Sequence, residues 1–206
     1  MHATDVEEAI SIQLHVWGSR ACFVRPELKV ERVSYDAMTP MAARGVLEAV
    51  YWKPAFRWHI ARVHVLNPVE FEPIYVQRMD QSESDRRRAA IVLTNVAYVI
   101  EASIELTDKA GPDDNLPRHY RGFRRRAARG EAFQSPSLGM PEFPASFALI
   151  GDETPLPPSA LSSSVDLGWM LHDVDYERGQ VQRFFRARVE NGVIDVPPYG
   201  DPDLAA

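Results

Sequence analysis

The stretch Thr39-Pro40-Met41-Ala42-Ala43-Arg44-Gly45-Val46-Leu47-Glu48-Ala49-Val50-Tyr51-Trp52-Lys53-Pro54-Ala55-Phe56-Arg57-Trp58-His59-Ile60 changes its hydrophobic period midway, from helical to extended. Thr39 is an N-cap residue and Pro40 suits the first helical position. Ala43, Val46, Leu47 and Val50 then follow at the spacing of one helix face. Arg44 and Glu48 lie one turn apart and can pair. Gly45 inside such a helix costs about 1 kcal/mol against alanine, which predicts a close neighbour at that position. Pro54 stops the helix and leaves Tyr51, Trp52 and Lys53 at its C-terminal end. Phe56, Trp58 and Ile60 alternate as a strand; the phase slips near Ala61-Arg62, where Val63 and Val65 take over, and this predicts a bulge.

The pattern continues outward on both sides. Ile10, Ile12, Leu14 and Val16 alternate with polar residues and predict a half-buried strand, with His15 on its solvent face. Pro68 and Pro73 punctuate the segment after Val65, and polar residues 77–88 read as a loop. A long strand is expected from Val96 to Leu106. A helix with Leu116, Tyr120, Phe123 and Ala127 on its buried stripe and Gly130 at its end comes next, then a strand from Phe143 to Ile150. The order strand, helix, strand, strand, helix, strand predicts an α+β protein: a ferredoxin-like (RRM-like) βαββαβ domain with both helices on one face of an antiparallel sheet. That domain would occupy residues 1–150. Residues 151–206 would be a Pro- and Ser-rich linker followed by an antiparallel β extension, with strands over 167–174 and 182–190, and an Asn191-Gly192 type I′ turn leading into 193–196.

Composition bounds the setting. The chain of 206 residues has a net charge of −6 and a single cysteine, Cys22, between Ala21 and Phe23. Such a thiol forms no internal disulfide and reads as a small buried side chain, and a reducing, cytoplasmic location is the expectation. The acidic start lacks a signal-peptide pattern and no apolar run approaches membrane-spanning length. Against this acidic background, residues 117–130 hold six arginines, one histidine and no acid. A solvated helix face usually mixes signs to gain pairs one turn apart. A one-sign run is either such a face without partners or a local surface for an anion, and arginine forks fit phosphate oxygens.

Chemistry concentrates at two helix ends. A helix N-terminus attracts phosphate through its free N–H groups, and its field disfavours a second positive charge. His119 at that position is an imidazole able to accept a proton beside fixed guanidinium charge, which suits the cleavage of an RNA phosphodiester. The alternative is a histidine that only binds phosphate or caps the helix. Tyr51 can donate a proton or orient a phosphate, or can be a core aromatic; Trp52 can stack on a base or be buried; Lys53 is a phosphate contact or a plain helix-end charge. The proposition requires Tyr51 and His119 to converge across the fold and the imidazole to stay open to substrate. His172, Asp173, Asp175 and Glu177 resemble a ligand cluster at a strand end, but no second histidine completes it. Asp113-Asp114 lies in a Gly-Pro loop without a spaced partner. No cofactor motif and no metal site is expected.

The residues Arg25-Pro26-Glu27, Lys29 to Asp36, Thr39-Pro40, Ala42 to Gly45 and, above all, Gly45-Val46-Leu47-Glu48-Ala49-Val50-Tyr51-Trp52-Lys53-Pro54 closely resemble the type I-C CRISPR-associated Cas-five family, a branch of the RAMP superfamily. Arg118-His119-Tyr120, Phe123 to Arg126, Leu138-Gly139, Glu142-Phe143 and Asn191-Gly192 extend the match in order along most of the chain. The resemblance implies a ferredoxin-like N-terminal domain and a β-rich C-terminal part. It also implies a metal-independent endoribonuclease that cuts CRISPR repeat RNA to a 2′,3′-cyclic phosphate and stays on the crRNA 5′ handle within Cascade, beside its backbone and large subunits. The family's catalytic tyrosine falls on Tyr51 and its histidine on His119, while its lysine is replaced by Arg118. His119 would be the general base, Tyr51 the acid or orienting group, and Arg118 the transition-state cation. Lys53, Arg121 and Arg125 would contact the RNA backbone. A noncatalytic handle-binding subunit is the alternative. Relatives carry a longer insertion after the strand ending near Ile74, where this chain runs directly on through Tyr75-Val76-Gln77.

Overall fold

A computed structural model describes residues 11–28, 32–77, 87–175 and 179–205. The elements run β1 (Ser11–Ala21), β2 (Arg32–Val33), α1 (Pro40–Val50), β3 (Phe56–Val65), β4 (Phe71–Gln77), β5 (Arg87–Leu106), α2 (Leu116–Ala127), β6 (Ser146–Leu149), β7 (Val165–Asp175), β8 (Val181–Val189) and β9 (Val193–Asp195). The protein is a mixed α/β fold of mostly antiparallel strands with two helices among the described residues. The main sheet has the order β6-β1-β5-β3-β9, and β2 and β4 also join β5. Every neighbour along that order is antiparallel, and only the short β2 lies parallel to β5. A separate hairpin pairs β7 with β8.

β5 is the spine. Its second half pairs with β3 and its first half with β4, and β1 spans the join on the other edge. Asn95 marks the break with a positive φ of 48°, and its carbonyl accepts from Asn67 Nδ2 at 2.7 Å. The expected loop over residues 77–88 overlaps β4 only at Gln77 and β5 at Arg87-Arg88, and β5 starts nine residues before the expected Val96. Residues 78–86 of that expected loop lie outside the described residues. Pro73 sits inside β4, a strand whose other edge carries no partner among the described residues, so the missing N–H leaves no ladder bond unmade. The expected bulge is present: the β3–β5 register shifts between Ile60 and Arg62.

Ile12, Leu14, Val16, Phe56, Trp58, Ile100 and Ile104 bury one sheet face against the buried faces of both helices. Leu66, Ala97, Val99 and Ile150 form a second, smaller cluster, joined by Leu156. Residues 159–160 are pinned to the end of β3: Ser159 Oγ donates to Val65 O at 2.6 Å and Ala160 N to Leu66 O at 2.8 Å. The tight turn after β8 forms as expected, with Asn191 and Gly192 both at positive φ, and β9 then returns to pair with β3. Cys22 is fully buried, and burial pushes its thiol up to about 11, so it offers no nucleophile. Gly45 has nothing within 4 Å of a built Cβ, so no close neighbour explains it. His15 is half-buried beside Trp17, with ring centroids 4.6 Å apart, rather than open to solvent. No described helix is long and apolar enough to cross a membrane.

Candidate active site

The site forms where the end of α1 meets the start of α2 over β3. Thr39 caps α1, its side chain accepting from Ala42 N at 3.2 Å. The helix ends at Val50 with Tyr51 as its C-cap: Tyr51 N still donates to Leu47 O at 2.9 Å, while its extended φ of −156° turns Trp52 and Lys53 away from the helix. Tyr51 is held from below: its carbonyl accepts from Trp58 Nε1 at 3.1 Å, and its ring stacks on Phe56 at 5.6 Å. Asn115 caps α2, accepting from Arg118 N at 3.0 Å, with Pro117 in the first turn. Trp58 meets Phe123 edge-on at 4.8 Å, and Tyr120 Oη accepts from Ile104 N at 2.8 Å, which fixes α2 to β5. α2 closes in a Schellman turn, with Gly130 left-handed, Glu131 N donating to Arg126 O and Gly130 N to Ala127 O.

These anchors bring Tyr51 and His119 together. Tyr51 Oη lies 3.3 Å from His119 Nδ1, and both rings pack on Phe56, the imidazole at 4.8 Å. On the far side, His119 Nε2 lies 3.0 Å from Asp114 Oδ1, in a contact whose direction falls short of an aligned hydrogen bond. A carboxylate only accepts, so the ring proton belongs on Nε2, and the Tyr51 hydroxyl donates to Nδ1. Asp114 is set by its own loop: it accepts from Gly111 N at 2.9 Å. That backbone N–H, and then the imidazole, hold its carboxyl below the usual carboxylate range. Burial raises the Tyr51 phenol, against the opposing pull of Arg118, Arg126 and Arg125, so it keeps its proton at neutral pH.

The expected convergence of Tyr51 and His119 is therefore present, but the open imidazole is not. His119 is 2% exposed, shielded by Phe56 and Tyr51, while Tyr51 at 9% retains a small outer surface. Gly122 lies one helical turn beyond and gives the phenol its room: a Cβ there would stand 2.9 Å from Tyr51 Oη. Arg118 is exposed and donates to Asp113 O at 3.0 Å. Arg121, Arg125 and Lys53 are exposed and make no ion pair or side-chain hydrogen bond among the described residues. Arg124 is taken by Asp152, at 2.6 and 3.0 Å, and Arg126 lies 3.7 Å over the Phe133 ring. Trp52 is 49% exposed, contrary to the buried alternative.

Asp114 is the residue that the spacing argument passed over. It sits five positions before His119 in a Gly-x-x-Asp turn, and only the turn's closure on Gly111 N aims it at the imidazole. The acidic cluster near β7 has another use. Asp173 is buried against the Arg44 guanidinium, with Nη2 donating to Oδ1 at 2.8 Å, and His172 Nε2 donates to Pro197 O at 2.8 Å. Glu177 lies outside the described residues.

Fold and site together define a mixed α/β protein with a buried tyrosine–histidine contact beside an arginine-rich helix. The Cas5d family model, described as "CRISPR-associated protein (Cas_Cas5)", matches residues 11–197, and the chain belongs to this Cas5 family. It is 50% identical to a protein of Mannheimia succiniciproducens named "CRISPR pre-crRNA endoribonuclease Cas5d", over 91% of this chain and 95% of that one. A protein of Thermus thermophilus with the same name is 37% identical over 90% of this chain and 91% of its own. Among solved structures, "Crystal Structure of CRISPR-associated Protein" superimposes with a TM-score of 0.78 at 22% identity, covering 96% of this chain and 97% of that one. A functionally uncharacterized protein, SMU1763c from Streptococcus mutans, gives a TM-score of 0.76 at 21% identity, covering 96% and 98%. These two likenesses concern the fold.

Proposed function

We propose that this chain is a CRISPR pre-crRNA endoribonuclease whose cutting site is the Tyr51–His119 pair, and that it works without a metal. The observation that carries the reading is the 3.3 Å approach of Tyr51 Oη to His119 Nδ1 beside arginines that have no acidic partner. Family membership supplies the substrate class: both curated relatives are named for cutting pre-crRNA.

The buried imidazole assigns the roles more narrowly than the residue types alone. Tyr51 is the group that meets the RNA. As a 2′-OH attacks the adjacent phosphorus, its proton passes to Tyr51 Oη while the phenolic proton passes to His119 Nδ1. The imidazolium so formed faces the Asp114 carboxylate. The 5′-oxygen leaves with a proton from solvent or from the returning relay, giving a 2′,3′-cyclic phosphate and a 5′-OH. Arg118 neutralises the charge that builds on the phosphorane; it cannot readily give up a proton, so it acts as a cation only. Arg121, Arg125 and Lys53 hold the RNA backbone.

The same reading extends to architecture and partners. The order β6-β1-β5-β3, antiparallel throughout, with α1 between β1 and β3 and α2 between β5 and β6, supports a ferredoxin-like core over residues 1–150. Residues 151–206 are its β extension. After cutting, the protein stays on the crRNA 5′ handle as a Cascade subunit in the cytoplasm.

The test is cleavage of cognate repeat RNA in chelator. Wild type is expected to cut and to leave a cyclic phosphate, with Tyr51→Phe and His119→Ala each losing at least a hundredfold in rate. A 2′-deoxy substitution 5′ of the scissile phosphate is expected to stop cutting while binding persists. An unchanged rate for His119→Ala removes the mechanism.

A further inference from the structure

Beside the site lies a hollow of about 320 Å³ lined by Glu48, Trp52, Phe133 and Gln134. Two large aromatic side chains line it while 49% and 58% exposed, Trp52 and Phe133 respectively. Single exposed rings are common, but two sharing one hollow next to a reacting pair call for an occupant. Phe133 ties the hollow to the site: its ring lies nearly parallel to Tyr51, at 21° and 6.4 Å between centroids. The far wall is preformed, because Phe133 N and Gln134 N both donate to Ala49 O on the last turn of α1, at 2.8 and 3.4 Å. Arg126 places its guanidinium 3.7 Å over the Phe133 ring, which steadies the ring and adds positive charge for a phosphate.

We propose that this hollow is a nucleobase slot that takes one unpaired base next to the linkage that is cut. The inference rests on the reading of Tyr51 and His119 as the cutting site. A base is a flat π-face with a polar rim. Trp52 and Phe133 offer the stacking surface. Gln134, whose side chain has no hydrogen-bond partner among the described residues, offers both a donor and an acceptor to the base edge. The Glu48 carboxylate, 3.5 Å from Arg44 Nε, adds an acceptor. An apolar peptide side chain would leave those polar groups unmatched; a base uses them. Seating the base there draws its nucleotide away from the hairpin stack and presents the neighbouring 2′-OH and phosphate to Tyr51.

The experiment crosses protein and RNA changes on noncleavable repeat RNA carrying the single 2′-deoxy substitution. Phe133→Leu and Trp52→Ala are each combined with abasic residues placed at each nucleotide flanking the cut. Stacking is worth about 1–3 kcal/mol per base, so each aromatic change is expected to weaken binding roughly 5- to 150-fold. At one abasic position, Phe133→Leu should cause no further loss, and Phe133→Trp should bind as wild type. Wild-type affinity for Phe133→Leu with a native melting curve overturns the slot. So does full multiplication of the two losses at every abasic position. Because binding is read without cleavage, the slot stands or falls separately from the chemistry: RNA that goes uncut by wild-type protein overturns the mechanism, not the slot.

Discussion

Gly122 and Asp114 show how little separates a working arrangement from a blocked one. An alanine Cβ at position 122 would stand 2.9 Å from both Cζ and Oη of Tyr51, too close for either to remain in place. Alanine also favours the helix by about 1 kcal/mol over glycine. Gly122→Ala is therefore expected to keep a folded α2, seen by circular dichroism, while single-turnover cleavage falls tenfold or more. Normal cutting by a folded Gly122→Ala protein would show that the phenol's position is unimportant. Asp114 makes the complementary case through charge. Its carboxyl is held below the ordinary range, first by Gly111 N and then by His119, so the anion is present at neutral pH and is lost only as pH falls through that lowered value. Asp114→Asn keeps the shape and the bond from Gly111 N but removes the charge facing the imidazole. The expected outcome is a ten- to hundredfold slower cut at neutral pH with unchanged RNA affinity, while wild-type cleavage shows no loss from this carboxyl until pH drops below the carboxylate range.

At the level of elements, the sequence was most legible where one side chain answers to one local rule. Thr39-Pro40 marks the start of α1, Gly130 its counterpart at the end of α2, and the slip at Ala61-Arg62 the bulge in β3, because each expresses backbone geometry through its own residue. Legibility failed where tertiary pairing decides. β4 holds a proline and exposes Phe71 and Tyr75, and it is a strand because the long β5 offers it a ladder. The meeting of Tyr51 with His119 was expected from the resemblance. The burial of the imidazole was not, because it depends on Phe56 and Tyr51 closing over it from other elements. Nor did the spacing of Asp114 advertise its partner, since a turn rather than a helical period sets its direction. One element-scale prediction follows from the cap. Asn115 Oδ1 satisfies Arg118 N at the start of α2, one residue before His119. Asn115→Ala should cost about 1 kcal/mol of stability in denaturant unfolding. Since the frayed turn carries both Arg118 and His119, cleavage should fall more than RNA binding does. Equal losses in the two would place the cap's effect on overall folding alone.

The whole molecule carries a net charge of −6, yet its arginine-rich helix points two kinds of guanidinium outward. Arg124 is committed to Asp152 and closes α2 onto the segment after β6, whereas Arg121 and Arg125 have no acidic partner among the described residues. Affinity for RNA should then come from a few local contacts set in a repelling background, which makes it steeply dependent on salt. Each phosphate contact in single-stranded nucleic acid contributes about 0.7 to the slope of log K against log salt. Removing Arg121 and Arg125 together should therefore flatten that slope by about 1.4, measured with noncleavable repeat RNA over a salt titration. Arg124→Ala is the internal control. Its guanidinium already has a carboxylate, so its loss should leave the slope within error of wild type, although it loosens the join to Asp152. Were the Arg124 variant to flatten the slope as much as the loss of Arg121 or Arg125, the RNA would have to displace Asp152 on binding, and the basic face would extend past the Tyr51 side of α2. An unchanged slope for the Arg121, Arg125 double variant would move the phosphate path off this helix altogether.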